Sequence, residues 1–263
     1  MSTPAGALEG KVAWVTGGGR GIGRAIALEL AGRGARVLVS GRDERRLGEA
    51  VGEIAYQRGK ARHIVADVRD AAQMDRAAAL AVEAWGRLDV VVANAGISGR
   101  APLAEADPAL LLDVVQTNLV GTMLTFAAAL RVMKGPGRLV AMSSVLGKLG
   151  VPDHGAYCAS KAGIQGLVRA LAHEVGPRRI TVNAVCPGWV DTEMATAGIA
   201  RIAESTGVTE DAAKRAATSA FPLRRFLEPE EIARFVAFVA GPETDGLTGQ
   251  SLSVCGGATA FGA

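Results

Sequence analysis

Short apolar runs alternate with longer stretches of helical spacing along almost the whole chain, and this alternation narrows the fold more than any other feature. The runs lie at 11–16, 36–40, 62–66, 89–93, 138–143, 180–186 and 250–254. The first six read as near-continuous rather than alternating in polarity, as expected of parallel strands covered on both faces. Helical stretches fall between them at 21–33, 43–58, 70–85, 108–133, 156–175 and 228–240. In the fifth, Ile164, Leu167, Leu171 and Val175 recur at spacings of three and four and form one apolar stripe. The pattern predicts an α/β fold, a doubly wound parallel sheet with helices on both faces. No linker or compositional shift divides residues 1–263, so one domain is expected. Residues 193–225 carry helical propensity but stand as an insertion before the last helix, a position from which mobile lids are drawn.

Composition agrees and excludes other classes. The chain is 49% hydrophobic and 21% charged, sufficient for a core without disulfide or metal staples. Glycine is the anomaly, at 34 of 263 residues against a usual ~7%. It follows no collagen period, so it must punctuate turns or admit a ligand close to backbone. Basic residues exceed acidic ones by 29 to 26. The densest basic run, 42–62, is interrupted by Asp43, Glu44, Glu49 and Glu53 and reads as a solvated helix rather than a nucleic-acid surface. Cys158, Cys186 and Cys255 have no metal-site spacing and read as thiols in a reducing cytoplasm. The N-terminus lacks the charged start and apolar core of a signal peptide. No uninterrupted 18-residue apolar run suggests a membrane span. A cytoplasmic protein with no nucleic-acid or membrane partner is expected.

Directly after the first run comes Thr16-Gly17-Gly18-Gly19-Arg20-Gly21-Ile22-Gly23, and then a helix. Glycines in this context allow a tight turn and let backbone approach a pyrophosphate seated on the helix N-terminus. The spacing is Gly-x-x-x-Gly-x-Gly, and the Gly-Lys-Ser/Thr ending of a nucleoside-triphosphate loop is absent. A dinucleotide is the better fit. The second run ends Val39-Ser40-Gly41-Arg42, where an NAD site places a carboxylate for the ribose hydroxyls. An arginine there can instead fork onto the extra phosphate of NADP, with Arg20 as a second cation. NADP(H) is the preferred cofactor and NAD(H) the alternative. The competing reading makes Arg42 a solvated arginine at a helix start, beside Asp43 as its N-cap.

One of only two tyrosines sits in Tyr157-Cys158-Ala159-Ser160-Lys161. Residues i and i+4 share a helix face, so phenol and ammonium can address one site. A lysine charge nearby is expected to lower the tyrosine pKa from about 10 and make Tyr157 a usable acid/base. Ser144 ends the fifth run 13 residues upstream, at a strand end of the kind that binds ligand. Its hydroxyl can donate to a carbonyl oxygen.

These features together resemble the short-chain dehydrogenase/reductase family. The 16–23 loop, Asn94-Ala95-Gly96, Asn118 within Gln-Thr-Asn-Leu-Val-Gly, Ser144, the Tyr157/Lys161 pair and Pro187-Gly188 follow its order and spacing over essentially the whole chain. The resemblance implies a single Rossmann domain with a seven-stranded sheet, and Asn118, Ser144, Tyr157 and Lys161 as the catalytic tetrad. Lys161 would also bind the nicotinamide ribose, and Asn118 would hold a water relaying protons to it. Gly17, Arg20, Gly21, Ile22, Gly23, Arg42, Asn94 and Gly96 would line the cofactor, with Asp67 and Val68 beside the adenine. Pro187, Gly188, Val190 and Thr192 would complete its site, Thr192 at the nicotinamide carboxamide. The sequence departs from many relatives at Ala93, where a second Asn is common, and in a trimmed loop at 133–137. No metal is implied.

The 180–188 and 253–257 stretches look like 3-oxoacyl-[acyl-carrier-protein] reductases and aromatic-polyketide ketoreductases. The implied reaction is reduction of a ketone, such as a 3-oxoacyl thioester, to a secondary alcohol. The alternatives are oxidation of a secondary alcohol or hydroxyacyl substrate, an epimerase or dehydratase, and a non-catalytic dinucleotide-binding protein. Enoyl reductases of the superfamily space Tyr and Lys further apart. Relatives pair the 108–133 and 156–175 helices, implying a homotetramer or a homodimer. His154 and Trp189 are candidates for lining the substrate pocket, against a plain loop histidine and a tryptophan packed under the lid. Met194 reads as lid lining. Arg131, Lys134, Arg178 and Arg179 could face an acidic carrier, although a scattered solvated surface explains them better.

Overall fold

Strand pairing runs β3-β2-β1-β4-β5-β6-β7, and every pairing is parallel. The structure is a computed structural model and describes residues 6–260. Residues 1–5, where the signal-peptide reading began, and 261–263 lie outside the described residues. The strands are β1 Val12–Thr16, β2 Arg36–Gly41, β3 Lys60–Val65, β4 Val90–Ala93, β5 Gly137–Met142, β6 Ile180–Pro187 and β7 Ser251–Val254. The helices are α1 Gly21–Gly32, α2 Glu44–Tyr56, α3 Ala71–Trp85, α4 Pro108–Val115, α5 Gly121–Val132, α6 Gly155–Val175, α7 Glu193–Thr206, α8 Glu210–Thr218 and α9 Pro229–Val239. This is the expected doubly wound sheet of seven strands. Its order reverses between β1 and β4, which opens a crevice at the strand ends there.

Alternation of side chains across the pleat builds one core on each face. Ala13, Val15, Val37, Val39, Val92 and Val140 pack with α1 and α9. Val12, Trp14, Leu38, Val91, Leu139 and Val182 pack with α3, α5 and α6. Trp14 lies in this second core, its indole N–H donating to Ser40 Oγ at 2.9 Å. Acidic and hydroxyl caps start several helices. Asp43 accepts from Arg46 N, as the sequence suggested, and Asp70 and Asp107 do the same for α3 and α4.

Two expectations need correction. The third strand is not buried on both faces: it is the sheet edge, and Lys60, Arg62 and Val65 are exposed. A charged edge resists pairing with other chains. The 108–133 stretch is not one helix either. Gln116–Val120 forms a π turn closed by Gly121 N donating to Gln116 O. An 18-residue window within Pro108–Val132 also reaches a mean hydropathy of 1.4, although Asp113, Gln116 and Asn118 interrupt the segment's apolar residues. Its buried residues, among them Val114 and Phe126, pack into the fold.

The insertion after β6 folds as α7 and α8, capped by Thr192 and Thr209. Ala195, Ile199, Ala203, Ala213 and Phe226 form a small core of their own. Trp189 stacks on Phe226 with ring centroids 5.2 Å apart, so it packs beneath the insertion.

Candidate active site

The C-terminal ends of β1, β4, β5 and β6 bring together most of the residues singled out in the sequence. At β1, Gly17 takes a positive φ of 66° to turn the chain into α1. A Cβ on Gly23 would stand 2.2 Å from the Gly17 carbonyl oxygen, so only glycine lets the helix sit on the loop this closely. Asn94 fixes the loop from β4. Its amide donates to the carbonyls of Thr16 at 2.9 Å and Gly17 at 3.3 Å, while its backbone N–H donates to Thr16 Oγ1. Asn94 thus shapes the glycine loop through its side chain.

Unlike α2, α3 and α4, which start on aspartate caps, α1 has no side-chain cap, and its first turn holds no acid. Free N–H groups on a helix start without a competing carboxylate suit a phosphate. The chain therefore fits a dinucleotide on its own geometry. Arg42 is exposed at the end of β2, close enough to Asp67 to favour that carboxylate's charge. Asp67 itself is held below the usual carboxylate range chiefly by its hydrogen bond from Arg69. Val68 is buried beside Gly121.

Beyond β6, Gly188 N donates to Val254 O, and Val190 bridges to Leu227. Pro187 is the last residue of β6, and Thr192 approaches Gly21: a Cβ there would lie 3.4 Å from Thr192 Cγ2. Arg20, by contrast, points to the insertion, where its guanidinium meets Glu193 at 3.1 Å.

The polar centre lies around Gly96. A Cβ at that position would be 3.1 Å from Asn118 Oδ1 and 3.5 Å from Lys161 Nζ, which puts both groups on one side of the β4 loop. Asn118 comes from the π turn. Its Oδ1 accepts from Ile97 N at 2.8 Å and its Nδ2 donates to Ile97 O at 3.0 Å and Ser160 Oγ at 3.1 Å. Ser160 Oγ in turn donates to the Tyr157 carbonyl at 2.8 Å. Lys161 Nζ donates to Met142 O at 2.8 Å and stands 5.6 Å from the centroid of the Tyr157 ring. Ser144, at the β5 end, accepts from Leu146 N at 3.1 Å. This leaves the hydroxyl proton of Ser144 for another acceptor.

The electrostatics differ from expectation. Burial pushes the Tyr157 phenol above its ordinary value; the hydrogen bond with Ser144 opposes this, and the neighbouring Cys158 adds to it. Lys161 is not among the groups that move the phenol, and burial lowers its own pKa to about 8. The phenol thus remains protonated at neutral pH, the state an acid requires.

Several contributors were missed in the sequence. Ser160 lies three residues after Tyr157, on the same helix face. Gln165, four after Lys161, is buried and donates to Ser143 Oγ at 3.3 Å and Cys186 Sγ at 3.7 Å. Ser143 Oγ donates to Lys161 O at 2.8 Å. The helical spacing offered both residues. Arg46 and Glu193, which pair at 2.8 Å across 147 positions, had no local signal. His154 stays in its loop with Nδ1 2.9 Å from Pro152 O, and Met194 is exposed.

Residues 17–259 match the protein family described as enoyl-(acyl carrier protein) reductase. A protein of Streptomyces violaceoruber named as a ketoacyl reductase of the granaticin polyketide synthase is 40% identical over 250 residues, covering 94% of this chain and 92% of its own. A hydroxynaphthalene reductase-like protein of Metarhizium majus is 37% identical, covering 95% of each. The crystal structure of a variant actinorhodin polyketide ketoreductase with NADPH is 37% identical at a TM-score of 0.92, covering 99% of this chain and 100% of that one. The chain belongs to the short-chain dehydrogenase/reductase family of oxidoreductases.

Proposed function

We propose that the protein reduces the ketone of a β-keto substrate, a 3-oxoacyl thioester or a close analogue, to a secondary alcohol with NADPH. The observation that carries this reading is the meeting of Ser144, Tyr157 and Lys161 at the same rim as the uncapped start of α1. When bound, the nicotinamide supplies a hydride to the carbonyl carbon. The Ser144 hydroxyl donates to the carbonyl oxygen and polarises it. The Tyr157 hydroxyl gives its proton to that oxygen as the bond to hydrogen forms on carbon. The Lys161 ammonium stabilises the phenolate left behind, and Asn118 holds the β4 loop beside it. Burial of Tyr157 keeps its phenol protonated at neutral pH, the form that the reduction uses.

Arg42 and Arg20 would serve the additional phosphate of NADPH. Polyketide ketoreductases among the relatives support a β-keto substrate over an enoyl one. Further parts of this reading are a homotetramer, with a homodimer as alternative, assembled through α4–α5 and α6, and action in the cytoplasm. Light scattering tests the assembly, and a monomer at micromolar concentration overturns it. The activity is tested by the loss of nicotinamide absorbance with NADPH and NADH in parallel, against ketones, β-ketoesters, acetoacetyl thioesters and enones. NADPH consumption with the β-keto compounds is expected. A strong NADH preference overturns the Arg42 assignment, and turnover of enones alone overturns ketone reduction.

A further inference from the structure

Glu193 is the first residue of α7 and the only acid of the insertion that reaches the cofactor loop among the described residues. Both of its oxygens accept from Arg46 Nη1 at 2.8 Å, and one lies 3.1 Å from Arg20 Nη1. Arg46 belongs to the first turn of α2 and is itself part of the loop's wall. A Cβ on Gly19 would come within 3.2 Å of the Arg46 backbone. Arg46 Nε also lies 3.3 Å from Asp43. Arg20 and Arg46 therefore flank the same turn of the glycine loop at the start of α1, and Arg42 directly follows the end of β2.

Two guanidiniums gathered on one anion at an uncapped helix start are an arrangement that phosphate also satisfies. Here the anion is a side chain carried in by the insertion. We propose that Glu193 is an intramolecular stand-in for cofactor phosphate: it latches the insertion to Arg20 and Arg46, and the cofactor's phosphates compete with it for them. Arg46 thereby becomes a phosphate ligand beyond Arg20 and Arg42. The latch weakens cofactor binding and ties release of the insertion to cofactor entry. The inference rests on the dinucleotide reading of the glycine loop.

Glu193→Gln and Arg46→Gln test it, because the two changes act in opposite directions. Binding of NADP+ and NAD+ is measured by calorimetry on the full chain without substrate. Glu193→Gln removes a negative charge from an exposed anion site. It is expected to tighten NADP+ binding about three- to tenfold, and NAD+ less, since NAD+ carries one phosphate fewer. Arg46→Gln is expected to weaken NADP+ by a similar factor. Without cofactor, trypsin should cut Glu193→Gln faster at Arg201, within the insertion, than it cuts the parent. Unchanged or weaker NADP+ binding in Glu193→Gln, with the parent binding normally, overturns the latch. A parent chain that binds neither dinucleotide overturns the cofactor reading and the latch with it.

Discussion

The Lys161 ammonium stands 5.6 Å from the centre of the Tyr157 ring, yet its hydrogen bond goes to the Met142 carbonyl at 2.8 Å. The lysine is thus anchored on β5, with its ammonium beside the ring rather than hydrogen-bonded to the phenol. Such an arrangement leaves the phenol alone responsible for the proton reaching the substrate. Tyr157→Phe should lower the reduction rate by at least about a hundredfold, the range of general-acid contributions. NADPH affinity should be nearly unchanged, as measured by fluorescence titration. Substantial residual turnover would remove Tyr157 from its role.

Burial sets the lysine's working range. Lys161 is charged below its pKa of about 8 and neutral above it, so the charge that stabilises the phenolate disappears with rising pH. The pH profile of kcat/KM for reduction should be level below about 8 and decline above it. A profile climbing through that range contradicts the assignment. The same group affects stability with a definite sign. Its folded pKa lies below the ordinary lysine value of 10.5, so between the two values the unfolded chain binds more protons. Its contribution to unfolding free energy therefore rises with pH across that window.

Glycines of this chain divide into two kinds that a pair of substitutions separates. Gly23→Ala sets a methyl against the Gly17 carbonyl and should cost about 1–3 kcal/mol or more, with loss of dinucleotide binding. Gly48→Ala, within α2 and with no atom within 4 Å of the added carbon, should stabilise by about 0.5–1 kcal/mol. Urea denaturation of the two variants measures both. A neutral Gly23→Ala would show that the loop is looser than its contacts indicate.

Behind Lys161, Ser143 and Gln165 form a buried pair whose energies should not add. Ser143→Ala leaves the Gln165 amide without its oxygen partner and should cost about 1–3 kcal/mol. In Ser143→Ala/Gln165→Leu that unpaired donor is gone, so the double variant should lose less than the sum of the single ones. Denaturation midpoints of the four proteins close the cycle. Strict additivity would show that the two side chains do not cooperate.

What the sequence revealed tracks how local each feature is. The strand–helix alternation, the loop around Gly17–Gly23 and the Tyr157/Lys161 spacing are written in neighbouring residues, and the fold class followed from them. The π turn at Asn118 was hidden because Gln-Thr-Asn-Leu-Val has ordinary helix-compatible composition; only the backbone bond from Gly121 N to Gln116 O shows the extra residue. The β3 edge was misread because position in a sheet is not a property of the strand itself. Glu193 and Arg46 meet through packing of the insertion on α2, which no periodicity announces. The direction of the Tyr157 shift depended on burial, which the i, i+4 spacing to Lys161 does not report.

The π turn also has an engineering consequence. It contains one residue more than a regular ladder needs, so deleting one residue between 116 and 120 would join α4 and α5 into an unbroken helix. Such a shortened chain could be the hardier protein while Asn118 loses its place beside Gly96. A library selected for heat resistance alone would enrich that deletion, and a directed-evolution campaign on this scaffold therefore has to score turnover in every round.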